Sequence, residues 1–239
     1  GDQVWRHVLG TSPTEDVLVF EEDDDQFYLG LHRMKSKKYI AISSDQNGVM
    51  TEYLLLSADA PMSKFTLFLP RQRGHEYSVE HFEDRFYVRT NLNGAFNFCL
   101  MQVAEDAYAD TTQWKVVIPH REEVYFEGLE VFRNHLVVQE RSEGLLHLRV
   151  INQQNQTEHY LNFGEAAYTA YVGTNPDFDT TTLRYGYTSL TTPSSTFDYD
   201  METHERVLLK QQEVLGEFNK DDYQTERLFA PALDGALVP

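Results

Sequence analysis

An all-β fold built from one repeated four-stranded antiparallel unit is what this sequence predicts, on three observations. Short runs of alternating apolar and polar residues are separated throughout by turn chemistry, and helical periodicity is nearly absent. Residues 185–189, 196–200 and 206–210 are three such runs, broken by Thr192-Pro193-Ser194-Ser195 and by the polar segment 201–205, which makes an antiparallel meander. Finally, Tyr28, Tyr77, Tyr125 and Tyr168 occupy matching places at a period of roughly 40–50 residues, the mark of β-propeller blades. A β-sandwich also gives many short strands, but not four successive four-strand sets.

Taken in order, residues 3–10 and 17–21 read as two strands joined by 11–16, the outer half of a preceding blade (1–22). The first full set, within 23–70, has strands at 27–32, 39–43, 52–57 and 64–69, with the favoured Asn47-Gly48 pair at its middle turn. The second, within 71–120, has strands at 75–82, 85–90, 96–103 and 113–119, with Asn93-Gly94 at the equivalent turn. The third, within 121–164, has strands at 124–131, 135–141, 145–152 and 158–163; Leu146, Leu148 and Val150 share one face, and His147 and Arg149 the other. The last, within 165–216, has strands at 167–173, 182–189, 196–200 and 206–211. Residues 217–239 begin a further strand-turn-strand unit around Asp234-Gly235. The expectation is about four and a half blades, with the natural protein continuing on both sides, because a partial ring exposes blade faces and edges.

Composition narrows the function. The 239 residues are 41% apolar and 13% aromatic, enough for a packed core. A net charge of −18 argues against nucleic acid, whose binding needs clustered Lys and Arg; it would attract cationic ligands or basic peptides, with solubility alone as the plainer reading. The acidic runs 21–25 and 105–106 lie between apolar runs and read as solvated loops. Cys99 stands alone, which excludes an internal disulfide and fits a reducing, cytoplasmic setting. Its place in the apolar run 96–103 makes it a buried, inert thiol. No run approaches the ~20 apolar residues of a membrane span, and no signal peptide is visible, so no membrane partner is expected.

The chain carries few catalytic signals. There is no Gly-x-Ser-x-Gly elbow, no Gly-rich phosphate loop and no paired cysteine. His75-Glu76 begins like a zinc-protease helix, but Val79 stands where the second histidine belongs. His75 and His81 share a strand face roughly 20 Å apart at strand rise, too far for one metal. Ser43, Asp45 and Gly48 match part of an Asp-box, yet the Asn-Gly hairpin explains them better. Neither cofactor nor metal is expected, and on its own residues the chain is not an enzyme.

The specific signal is a resemblance. Residues 191–200 (TTPSSTFDYD) followed by 208–216 (LLKQQEVLG) resemble the last propeller blade of oligopeptidase B-type members of the prolyl oligopeptidase family of serine peptidases. Residues 74–81 (GHEYSVEH) with 84–91 (DRFYVRTN) are similar to an inner-blade segment of that family, and 226–230 with 234–239 to its hinge and first catalytic-domain strand. Residues 5–11 and 16–22 fit as well, so the resemblance covers essentially the whole chain.

The resemblance implies a seven-bladed propeller capping an α/β-hydrolase domain, with the pore and interdomain cleft admitting short peptides cleaved after Arg or Lys. The catalytic Ser, Asp and His then lie beyond Pro239, and this chain alone is expected to be inactive. Its partners are its own catalytic domain and short basic peptides. His75, Glu76 and Glu80 are candidates for lining the pore or the domain interface; the alternative is that they satisfy blade-to-blade hydrogen bonds. A freestanding propeller acting as a protein-interaction scaffold is the other function class, weakened by missing WD and Gly-His signatures.

Overall fold

The computed structural model describes residues 1–238. The chain forms two compact units, Gly1–Arg121 and a second beginning at Glu122.

The first unit opens with β1 (Asp2–Arg6) paired antiparallel to β2 (Val17–Glu22). Two four-stranded sheets follow. The first contains β3 (Tyr28–Arg33), β4 (Tyr39–Gln46), β5 (Met50–Ser57) and β6 (Thr66–Leu69); the second, β7 (Tyr77–Phe82), β8 (Arg85–Thr90), β9 (Cys99–Ala104) and β10 (Lys115–Ile118). Every strand pairs antiparallel with its sequence neighbour, so each sheet is a simple meander. Gly48, at φ 74°, supplies the left-handed residue that the tight β4–β5 turn demands. Phe68, Tyr77, Phe86 and Trp114 pack with Met34, Leu55 and Val88 into one buried cluster shared by the two sheets. Each such aromatic contributes roughly 1.5–3 kcal/mol of burial free energy.

The second unit repeats the plan. Its third sheet holds β11 (Tyr125–Val131), β12 (His135–Ser142), β13 (Leu145–Asn152) and β14 (Glu158–Tyr160). Its fourth holds β15 (Tyr168–Val172), β16 (Thr182–Ser189), β17 (Ser195–Asp200) and β18 (Arg206–Gln211), and a hairpin of β19 (Ala230–Pro231) and β20 (Leu237–Val238) turns around Asp234-Gly235. Leu146, Leu148 and Val150 lie together in a core with Phe132, Leu183, Tyr185 and Tyr199, as the alternation requires. Arg149, on the opposite face, is also buried, because Glu140 and Glu158 meet its guanidinium at 2.8 and 3.3 Å and Tyr160 donates to Glu140 at 2.8 Å.

The fold is therefore all-β, in four-stranded antiparallel blades, as expected. The four tyrosines of the repeat open β3, β7, β11 and β15. Several strand starts and ends differ from the sequence expectation, and three of the shifts have a clear local cause. The run expected from residue 75 begins at Tyr77, because Gly74 sits at φ 86° and the His75 N–H turns back to the Gln72 carbonyl. The run expected from 96 begins at Cys99, because Phe98 adopts φ 65° and donates to the Ala95 carbonyl, its ring held under the Arg89 guanidinium. The first strand ends at Arg6, since residues 8–11 close a turn through Thr11 and Val8.

Candidate functional site

In a four-stranded meander, the start of the first strand, the middle turn and the end of the last strand lie at the same end of the sheet. In the fourth sheet this end carries Tyr168, the 190–194 turn and Gln211, after which the chain leaves the blade. The equivalent end of the second sheet carries His75 and Glu76, immediately before β7.

His75 is buried, with Nε2 2.8 Å from Thr90 Oγ1 and its ring stacked on Tyr77. Burial lowers its pKa, which favours the neutral imidazole. Its carbonyl accepts from Thr51 N–H of the first sheet, so it joins two blades. Glu76 is half-buried and also bridges them: its Oε2 accepts from Gly48 N–H at 3.2 Å, capping the Asn-Gly turn next door, while its own N–H donates to Asn91 Oδ1. Glu80 lies mid-strand, half-buried, with Oε1 accepting the His81 N–H at 2.9 Å. The three do not form one cluster; His75 and Glu76 serve the blade seam, and Glu80 stands further along the strand.

The fourth sheet holds a tighter constellation. Glu165 lies three residues before Tyr168, and its carboxylate accepts from four hydroxyls: Thr191 at 2.6 Å, Ser189 at 2.8 Å, Thr192 at 3.0 Å, and Tyr187. Burial alone would raise the pKa of Glu165, but these donors together outweigh it and bring it to about 2. Tyr187 is displaced upward by its burial and by donating to that carboxylate. The ionised Glu165 thus holds the 189–192 turn rigid at the end where the chain departs. Gln211 continues the arrangement, donating to Ser195 Oγ at 3.0 Å, and Gln212 N–H reaches the Ser194 carbonyl. Sequence reasoning singled out the 191–200 run but missed Glu165. The available signal was an acid three residues before the repeat tyrosine, opposite a hydroxyl-rich turn.

Beyond Gln211, Arg227 lies 3.8 Å from Glu143 of the β12–β13 turn, with its guanidinium over Phe229. Leu190, Leu215 and Leu228 are 87%, 89% and 76% exposed, a concentration of apolar surface on the exit turn and the departing segment. Among the described residues no helix is long and apolar enough to cross a membrane, and no group of three His, Cys, Asp or Glu side chains is disposed to hold a metal.

Antiparallel four-stranded blades, with a last blade whose end is braced and then continued by an apolar segment, define a propeller domain. The chain belongs to the prolyl oligopeptidase family: the profile of the prolyl oligopeptidase N-terminal β-propeller domain matches residues 1–212. It is 41% identical to dipeptidyl aminopeptidase BI of Pseudoxanthomonas mexicana over 98% of this chain and 32% of that protein. It is 32% identical to protease 2 of Moraxella lacunata over 99% and 33%, respectively. Among solved structures it is similar to oligopeptidase B from Trypanosoma brucei with covalently bound antipain, in its closed form, with a TM-score of 0.89 and 30% identity over 98% of this chain and 34% of that one. Oligopeptidase B from Leishmania major gives a TM-score of 0.88 at 27% identity over the same shares. The chain spans about a third of the length of the relatives it matches.

Proposed function

We propose that this chain is the non-catalytic, substrate-filtering propeller portion of a serine oligopeptidase that cleaves short peptides after Arg or Lys in the cytoplasm. The observation that carries this reading is the exit end of the fourth blade. The Glu165 cradle braces the turn there, and residues 217–238 leave it with exposed apolar side chains suited to meeting a catalytic α/β-hydrolase domain. The likeness to two oligopeptidase B structures supports the oligopeptidase reading, and the Arg/Lys preference is what the resemblance to that type implies. The net charge of −18 supports it independently, since a strongly acidic domain raises the local concentration of basic peptides. In this reading His75, Glu76 and Glu80 are the candidates for lining the pore or the domain interface.

A second reading has its own support. The relative with 41% identity is named a dipeptidyl aminopeptidase, an activity that requires a free peptide N-terminus. The test is cleavage of a fluorogenic Arg-Arg substrate, with free and with blocked N-terminus, by this chain and by the full-length protein. The proposal expects activity in the full-length protein alone, on the blocked substrate as well as the free one. Cleavage of the free form only would assign the dipeptidyl activity. Inactivity of the full-length protein on both would remove the peptidase reading and return the scaffold alternative.

A further inference from the structure

The end of the second unit opposite the chain exit carries a group of imidazoles that the filtering role does not use. His159 of β14 places its Nε2 2.9 Å from Tyr199 OH at the end of β17, across the seam between the third and fourth sheets. His204, in the turn joining β17 to β18, lays its ring on His159, with centroids 3.9 Å apart and planes inclined by 31°. His135, buried at the start of β12, faces the same seam with Nε2 2.9 Å from Glu202 Oε1 of that turn. Three histidines from three elements thus meet where one short turn crosses from sheet to sheet.

We propose that the β17–β18 turn is a proton-released latch, which clips the fourth sheet to the third through the His159–His204 stack at neutral pH and lets go under acid. Two imidazoles stack readily while at least one is neutral, whereas two imidazolium rings at this distance repel. The charges around the stack do not relieve that repulsion. Glu202 is engaged by His135 and by Asn152 Nδ2 at 3.4 Å. Asp200 accepts from the N–H groups of Glu202 and Thr203 through one oxygen and from Thr181 Oγ1 through the other, so it organises the turn instead. Glu158, next to His159, pairs with Arg149. Arg206 of β18 lies close enough to Tyr199 to add positive charge, while donating to the Asn162 carbonyl. No ion pair among the described residues involves His159 or His204.

Burial and the two neighbouring histidines lower the His159 pKa from 6.5. The unfolded or opened segment therefore binds the proton more readily than the closed one. Closure is complete above the ordinary imidazole range and weakens as pH falls through it. The turn is closed by few bonds of its own, so loss of the stack frees it to fray: Asp200 N–H donates to the Glu205 carbonyl, His204 N–H donates to the Asp200 carbonyl, and His204 sits at φ 63° with its side chain exposed.

The test is backbone hydrogen exchange in the full-length protein, corrected for intrinsic exchange, for the wild type, His204→Asn and His159→Gln. Asparagine adopts the left-handed conformation of residue 204 readily, so His204→Asn is not expected to disturb folding. In the wild type, protection of residues 200–205 is expected to fall about tenfold between roughly pH 7.5 and pH 5.5, with β12–β13 unchanged. In both variants protection of the turn is expected to stay level over that range. An equal fall in His204→Asn, or a level profile in the wild type, would overturn the latch.

Discussion

Replacing Glu165 by Gln tests the brace at the exit end most directly. The substitution keeps the shape and one acceptor but removes the charge that Thr191, Tyr187, Ser189 and Thr192 are arranged around. A carboxyl brought from an ordinary 4.5 to about 2 is favoured in its ionised, folded setting by about 3 kcal/mol before screening. Glu165 is half-buried, and solvent screening reduces that to about 1–2 kcal/mol, in the range of charge-assisted hydrogen bonds. Because the folded pKa is depressed, the contribution is fully present above about pH 4.5 and is lost as pH falls toward about 2. Glu165→Gln is therefore expected to lower stability by about 1–2 kcal/mol at neutral pH, measured by urea unfolding, with the difference from wild type narrowing steadily below pH 4.5. Equal stability at neutral pH, or a gap that persists unchanged to pH 2, would refute the assignment of Glu165 as the ionised centre of the cradle.

Two further outcomes follow from the charges. Glu140→Gln leaves the buried Arg149 with only the exposed Glu158 as carboxylate partner, and should cost about 3 kcal/mol in urea unfolding; a loss below about 1 kcal/mol would show that solvent reaches the pair. If the acidic propeller steers peptides, kcat/KM of the full-length protein should fall with salt more steeply for dibasic than for monobasic substrates; equal slopes would exclude steering.

Strand content was legible because period-2 alternation and turn residues are local signals. Asn47-Gly48 marks its hairpin because only a left-handed residue closes so short a turn, and Leu146, Leu148 and Val150 mark their face because successive side chains point to opposite sides. The ends of strands were less legible. The turn at 95–98 is held by a backbone bond and a positive φ at Phe98, which no residue type there announces. Arg149 was placed on the right face, but its burial was not readable, because it depends on Glu140 nine residues away and on Tyr160 of the next strand.

By itself the sequence determined the repeat, the blade composition, the family and the excess of negative charge, all carried by neighbouring residues or by the whole composition. Only the tertiary structure decided which polar groups act together. Glu165 meets Thr191 and Thr192 because β15 pairs with β16 in the register Tyr168–Ser189, and His204 meets His159 because the fourth sheet packs on the third. Groups tens of residues apart acquire shifted pKa values and fixed partners only once strand register and sheet packing bring them within hydrogen-bonding distance and exclude water from around them.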